Sequence, residues 1–283
     1  MARACPFGDI GDPKRGPELD KSACVQLASA CTLPCKAHWV WSLRGLLTQD
    51  SFKTFLPLAD APADFFMTLR DIAFWIRSAR ADSRIQRLRH ARGAAAAFDD
   101  LYEETNDPFG AEMPQYRYQQ RKYDCLLSML PRQPYQRVLD IGCGLGALTR
   151  KLAPLVEHVL GTDISAVAIS QARKLSAAHP NIVYSQENVL DEMRGEPGFD
   201  LIVLADTLYY IEPLTEMGLK SIVRNVASKL APGGLLLVVD HYFFGIDKAS
   251  RDTREIHNAF RWAPSLACAA EHRRAFFLAT LLR

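Results

Sequence analysis

Val138-Leu-Asp-Ile-Gly-Cys-Gly-Leu-Gly146, followed by Val159-Leu-Gly-Thr-Asp163, decides the fold of this chain. Val138 to Ile141 is a short apolar run, as expected of a strand buried on both faces of a parallel sheet. Gly142, Gly144 and Gly146 punctuate the turn after it, where glycine tolerates positive φ and lets a ligand approach the backbone closely. Ala147-Leu-Thr-Arg-Lys-Leu152 continues as a helix, and Pro154 marks its end. His158 to Thr162 reads as a second strand with Asp163 at its tip. This strand–turn–helix–strand–acid order suits an adenosine-bearing cofactor. The helix start offers free N–H groups to an anionic group, and the terminal carboxylate can accept hydrogen bonds from both ribose hydroxyls.

Nicotinamide folds place glycine and acid in a similar way, so the glycines alone do not identify the cofactor. Two details do more. The spacing is Gly-x-Gly-x-Gly, although Ala147 can fill the third small position of Gly-x-Gly-x-x-Gly. Asp140, at the end of the first strand, would repel a pyrophosphate but attract the ammonium of a methionine moiety. That favours S-adenosylmethionine (SAM). The segment resembles motif I of the class I SAM-dependent methyltransferases. The resemblance implies that Asp140 lies near the methionine end, that Gly142, Cys143, Gly144 and Gly146 wrap that end, and that Asp163 holds the ribose.

The remaining chain alternates in the same way. Ser165 caps a helix running to about Ala178, Ile182 to Tyr184 and Phe199 to Leu204 read as strands, and Met217 to Leu230 reads as a helix. Ala231-Pro-Gly-Gly234 is a turn before a fifth strand, Leu235 to Val239. Two last apolar runs, Leu266–Ala270 and Ala275–Leu282, flank His272-Arg-Arg274 and supply an antiparallel pair. The expected fold is therefore α/β, a Rossmann-like class I methyltransferase sheet of five parallel strands plus a closing antiparallel pair, with helices on both faces. Asn188 stands where many such enzymes have an aspartate facing the adenine amino group, and its amide oxygen can accept the same bond. Ile164 and Val189 are candidates to pack on the adenine faces, or equally for ordinary core filling, and Ala205 completes the cofactor set.

The Asp206-Thr-Leu-Tyr-Tyr210 loop follows the fourth strand, where open α/β sheets bind their ligands. It lacks the Asn-Pro-Pro-Tyr pattern that accompanies methylation of nucleic-acid bases. With Phe98-Asp-Asp-Leu-Tyr102, Asp107-Pro-Phe-Gly110, Tyr116-Arg-Tyr-Gln-Gln-Arg-Lys-Tyr123 and Leu130-Pro131 upstream, the chain resembles the nodulation protein S-like methyltransferases from Phe98 to Arg283. The resemblance implies a compact bacterial enzyme of small-molecule or glycan pathways; the namesake methylates the amino group of a chitooligosaccharide. This sequence departs from that pattern at Phe109, where Trp is usual, and at Gln119, where Glu is usual. Tyr102, Phe109, Tyr116, Tyr118 and Tyr123 form an aromatic lead-in suited to a sulfonium or a sugar face, or to plain packing on the sheet. Tyr102, Phe109, Tyr116, Tyr118 and Arg121 are the candidates for acceptor binding.

Methyl transfer from a sulfonium needs positioning above all, which can supply about 7–11 kcal/mol. A base is needed only if the acceptor must lose a proton. His241, after the fifth strand, is the leading candidate; Asp206, Tyr209 and Tyr210 are others, and His257 in a helix-like segment is weaker. Either histidine can instead be a structural group with satisfied hydrogen bonds. The competing function is a SAM-binding partner subunit without catalysis, with a nicotinamide oxidoreductase as a distant third.

The chain divides into residues 1–66, a poorly ordered or accessory extension; 67–97, a basic helical segment; and 98–283, the methyltransferase domain. Residues 1–20 hold three prolines and three glycines and show no apolar centre for a signal peptide. Met67 is a candidate for the natural start. Cys31-x3-Cys35-x2-His38 lacks a second ligand pair at zinc spacing, so no metal is expected. Seven cysteines without a regular framework point to a reducing cytoplasm. Arginines at 70, 77, 80, 84, 87, 89 and 92 allow contact with an anionic surface or docking on the catalytic domain, with Ile72, Trp75, Ile76, Ala79 and Leu88 as an apolar stripe. The net charge of +2 excludes a strong nucleic-acid footprint elsewhere, and no apolar run is long enough to span a membrane.

Overall fold

The computed structural model describes residues 69–191, 197–211, 214–243, 247–274 and 276–283, all within the unit Leu46–Arg283. The candidate metal ligands Cys31, Cys35 and His38, the 1–66 extension and the start at Met67 lie outside the described residues.

Three helices precede the sheet: α1 (Leu69–Arg92), α2 (Ala94–Glu104) and α3 (Arg117–Met129). The sheet comprises β1 (Tyr135–Ile141), β2 (Val156–Asp163), β3 (Ile182–Gln186), β4 (Phe199–Ala205), β5 (Leu230–His241), β6 (Cys268–Arg273) and β7 (Phe277–Leu282). Their order is β3-β2-β1-β4-β5-β7-β6, with β1 to β5 parallel and β7 antiparallel to both neighbours. Helices α4 (Ala147–Leu152), α5 (Ala166–Leu175), α6 (Glu216–Lys229) and α7 (Lys248–Arg261) complete it. The order reverses between β1 and β4, and a ligand crevice belongs at the carboxyl ends of those two strands.

Strict alternation along the central strands builds one core on each face. Leu201, Val203, Leu237 and Val239 pack with Leu126 and Leu148 on one side. Ile202, Leu204, Leu236 and Val238 pack with Ile222, Val226, Ile256 and Phe260 on the other. Burying each such side chain stabilises the fold by roughly 1.5–3 kcal/mol. Caps fix where helices start: the Ser165 hydroxyl accepts from Ala168 N at 3.0 Å, and the Asp247 carboxylate accepts from Ser250 N at 2.8 Å.

Three local expectations change. Ala231–Gly234 is not a separate turn before β5 but a loop-out within it, because Phe199 pairs with Leu230 and Leu201 with Leu235. His272 and Arg273 belong to β6 rather than to the connection. The apolar stripe of α1 is rotated: Ile72 and Ile76 are exposed, while Phe74, Ala81 and Ile85 are buried. Four of its seven arginines bond to neighbouring elements. Arg77 donates to the Asp107 carbonyl at 2.9 and 2.6 Å, Arg84 pairs with Glu104, Arg89 donates to the Tyr210 carbonyl, and Arg92 pairs with Asp100 at 2.5 Å. No helix among the described residues is long and apolar enough to cross a membrane.

Candidate active site

One cavity of about 680 Å³ opens at the carboxyl ends of β1, β4 and β5. Asp140 to Leu145, Asp163, Ile164, Asn188, Val189 and Ala205 line one end. Asp82, Lys122, Asp206, Tyr209, Tyr210, His241 and Asp247 line the other. Helix α1 supplies a wall through Phe74, Trp75, Ser78, Asp82 and Arg89.

The glycine loop is held from behind. Gly142 N and Cys143 N donate to the Thr162 carbonyl at 2.7 and 2.9 Å. Gly142 has φ 75°, and a Cβ there would run into the Thr207 side chain. The Asp163 carboxylate accepts from Gly144 N and from Ser165 N, both at 2.9 Å. Desolvation, partly offset by those N–H groups, holds its carboxyl above the usual range. Asp140 is 1% exposed and accepts from the Thr149 hydroxyl at 2.6 Å. Burial raises its carboxyl to about 6, against the lowering effect of that bond.

The acceptor end is acidic and aromatic. The His241 ring Nε2 lies 3.2 Å from Asp247 Oδ2, which fixes the imidazole's orientation. Burial opposes ionisation of Asp247, but bonds from Ser250 and then His241 outweigh it and hold its carboxyl below the usual range. Asp82 accepts the Tyr210 hydroxyl at 2.7 Å, and burial raises its carboxyl. Asp206 has φ 54°, rare for a residue other than glycine, and pairs with Lys122. Phe98 and Phe109 pack on the Tyr210 ring at 5.5 and 5.9 Å.

Several expected site residues stand elsewhere or act differently. Gly146 does not line the cavity; it caps α4 with φ 77° and backs onto Tyr184. Tyr116, the extended residue before α3, packs against Phe74 at 5.7 Å, and neither it nor Arg121 lines the cavity. Tyr102, Phe109 and Tyr118 do line it. Desolvation pushes the hydroxyls of Tyr209 and Tyr210 well above their usual range, and Tyr210 donates its proton to a hydrogen bond with Asp82. His257 is 1% exposed, bonded to the Thr280 hydroxyl at 2.7 Å and 3.4 Å from the buried Asp240, away from the cavity. The Asn188 side-chain oxygen accepts from Leu190 N at 3.0 Å and keeps one lone pair.

The sequence reading missed Asp82, Lys122, Asp247 and Trp75 as site residues; Gln119, noted there as a departure from the family pattern, also lines the cavity. Trp75 Nε1 and Gln119 Oε1 are buried in the cavity wall without a hydrogen-bond partner. Lys122 had a signal: it falls on the apolar stripe of α3 with Tyr118, Cys125, Leu126 and Met129, where a lone charge demands a partner. No group of three or more His, Cys, Asp or Glu suited to a metal occurs among the described residues. The polar end of this cavity can bind a cation, and its imidazole–carboxylate pair can accept a proton.

The family model for Nodulation protein S (NodS) matches residues 74–242. Nodulation protein S of Rhizobium tropici is 32% identical over 166 residues, 59% of this chain and 60% of that protein. The chain thus spans less than two thirds of that relative's length. A ubiquinone biosynthesis O-methyltransferase of Albidiferax ferrireducens is 30% identical over 142 residues, 49% of this chain and 54% of that one. The crystal structure of an N-methyltransferase of Bradyrhizobium japonicum WM9, solved with S-adenosyl-L-homocysteine (SAH), aligns with a TM-score of 0.56 at 24% identity. It covers 65% of this chain and 96% of that chain. That likeness supports the shared α/β fold.

Proposed function

The chain belongs to the nodulation protein S family, and from that premise we propose that it is a SAM-dependent methyltransferase acting on a nitrogen, in preference to an oxygen, of a small-molecule or glycan-type acceptor. One observation carries this reading: a single cavity joins the Asp140–Asp163 glycine-loop end to the Asp82, Asp206 and His241–Asp247 end.

The residues present fit SAM. The glycine loop and Asp163 form the cradle, Asp140 offers a carboxylate to an ammonium, and the orphaned Gln119 Oε1 and Trp75 Nε1 await polar partners. Ile164, Asn188, Val189 and Ala205 form the adenine side. The bound cofactor supplies an activated methyl group on a sulfonium. Everything else falls to the chain. Asp82 and Asp206 draw a protonated amine into the cavity, and the aromatic wall of Phe98, Phe109 and Tyr210 favours its cationic form until it is aligned. His241, oriented by Asp247, takes the proton that the amine must lose before its lone pair can attack. Positioning by α1 and the loop after β4 does the rest. A subunit that only bound the cofactor would have no use for an imidazole–carboxylate pair beside it.

Calorimetry with SAH and label transfer from methyl-labelled SAM to glucosamine and N-acetylglucosamine test this. The wild type should bind SAH, Asp163→Ala should lose that binding while staying folded, and label should enter glucosamine alone. Label on both sugars moves the reading to oxygen. A wild type that ignores SAH removes the methyltransferase reading.

A further inference from the structure

Lys122 is a fully internal lysine: its side chain is 3% exposed, on the sheet-facing side of α3, with Nζ 5.6 Å from the Phe277 ring centre. An ammonium so removed from water costs several kcal/mol unless it is paired. Its partner is Asp206 Oδ2, at the tip of β4 and 25% exposed to the cavity. The chain accepts a strained backbone to make this pair: Asp206 has φ 54° while its N–H donates to the Val239 carbonyl at 2.7 Å. A non-glycine residue in that region costs of order 1–3 kcal/mol. Strain and burial thus converge on one carboxylate at the crevice, and its other oxygen, Oδ1, has no protein partner among the described residues.

We propose that Lys122 is the positioning residue of the acceptor site: it pairs its charge with one oxygen of the Asp206 carboxylate and leaves the other to take a hydrogen bond from the acceptor. This deepens the methyl-transfer reading and rests on it for the acceptor's role, though not for the ion pair itself. The surroundings make the lysine necessary. Asp206 faces Asp82 from α1, Tyr118 and Tyr123 from α3, Tyr209 from its own loop and Asp240 from β5. Each of these either carries negative charge or would if it ionised, and the Lys122 ammonium sets a positive charge against them at the tip of β4. Burial raises the carboxyl of Asp240, next along the sheet on β5, and Lys122 opposes that rise only weakly, after His257.

The experiment uses the full chain with carbon-13-labelled aspartate carboxyls, with the Asp206 signal assigned by its absence in Asp206→Asn. In the wild type that signal should titrate at least one pH unit below its midpoint in Lys122→Met, a tenfold change in the protonated-to-ionised ratio, and Lys122→Arg should restore the wild-type midpoint. A lysine that merely tied α3 to the sheet would lower the melting temperature in Lys122→Met without moving that midpoint by a full unit; such a result overturns the proposal. Should Lys122→Met not fold, the Lys122 ammonium is titrated instead in the wild type and in Asp206→Asn. A fall of a unit or more in the variant supports the pair, and a smaller one overturns it. SAH calorimetry on the wild type runs alongside: failure there sinks the methyltransferase reading and leaves the titration result standing.

Discussion

Replacing Asp140 with Asn should make the empty protein more stable and the cofactor bind worse. The carboxyl is 1% exposed, and burial raises it from 3.8 to about 6 even though the Thr149 hydroxyl bonds to it. Its folded value therefore lies above its unfolded one. Between the two, the folded state keeps a proton that the unfolded state has shed, so stability falls as pH climbs through that window and the loss is complete above it. Linkage puts the loss at about 3 kcal/mol near pH 7.5 and about half of that near pH 5. Asparagine removes the charge and still accepts the Thr149 bond. Urea denaturation should show the variant ahead by about 3 kcal/mol near pH 7.5, with the gap halved near pH 5. SAH calorimetry reads the other side. An ammonium partner requires the ionised carboxyl, which is about one tenth populated one unit below its midpoint, so wild-type affinity should fall about tenfold near pH 5. The variant should bind weakly at both pH values. An Asp140→Asn protein no more stable than the wild type near neutrality, or one that binds SAH as tightly, refutes the assignment of Asp140 as a buried anion kept for a cationic ligand.

Three further outcomes follow from the geometry. Gly142→Ala places a Cβ against Thr207 at φ 75° and should cost about 1–3 kcal/mol, read as a lowered melting temperature. His241→Ala should cut label transfer about 100-fold or more while SAH affinity holds, and Asp247→Asn should shift the acid limb of the pH–rate profile; unchanged turnover in both excludes this pair as the base. His257→Ala removes a buried ring and leaves the Thr280 hydroxyl without that bond, and should cost about 1–3 kcal/mol in denaturant melts, with SAH affinity unaltered in the folded fraction.

The sheet was legible because its signals are local. The apolar end of β1 runs into Gly142, β2 ends on Asp163, β4 lies between Gly198 and Asp206, and Ser165 announces α5 as a cap. The glycine loop was legible for the same reason, except that Gly146 serves the helix start rather than the cavity. What escaped depends on rotation about a helix axis and on pairs distant in sequence. The stripe of α1 was misplaced by taking Ile72 and Ile76 as core, when the residues that meet α2 and α3 are Phe74, Ala81 and Ile85. Asp82 meets Tyr210 across 128 positions, and Lys122 meets Asp206 across 84. No spacing rule links such partners; a charge on an apolar stripe was the one available hint. Tyr116 and Arg121 were assigned to the acceptor by their company with Tyr118, yet Tyr116 lies before the helix against Phe74 and Arg121 sits on a different side of α3 from Tyr118 and Lys122.

The wall contributed by α1 has a consequence for how such an enclosure can diversify. Every strand that carries the glycine loop begins at or after Tyr135, whereas Phe74, Trp75, Ser78 and Asp82 come from a helix that ends at Arg92. That helix meets the loop after β4 through a hydroxyl on Asp82 and a guanidinium on a backbone carbonyl. One wall of the acceptor end is thus encoded in a stretch of chain apart from the strands that carry the glycine loop. Substitutions in the leading helix can reshape what enters beside Asp206 without breaking a single strand pairing, so choice of acceptor and grip on the cofactor are free to change at different rates.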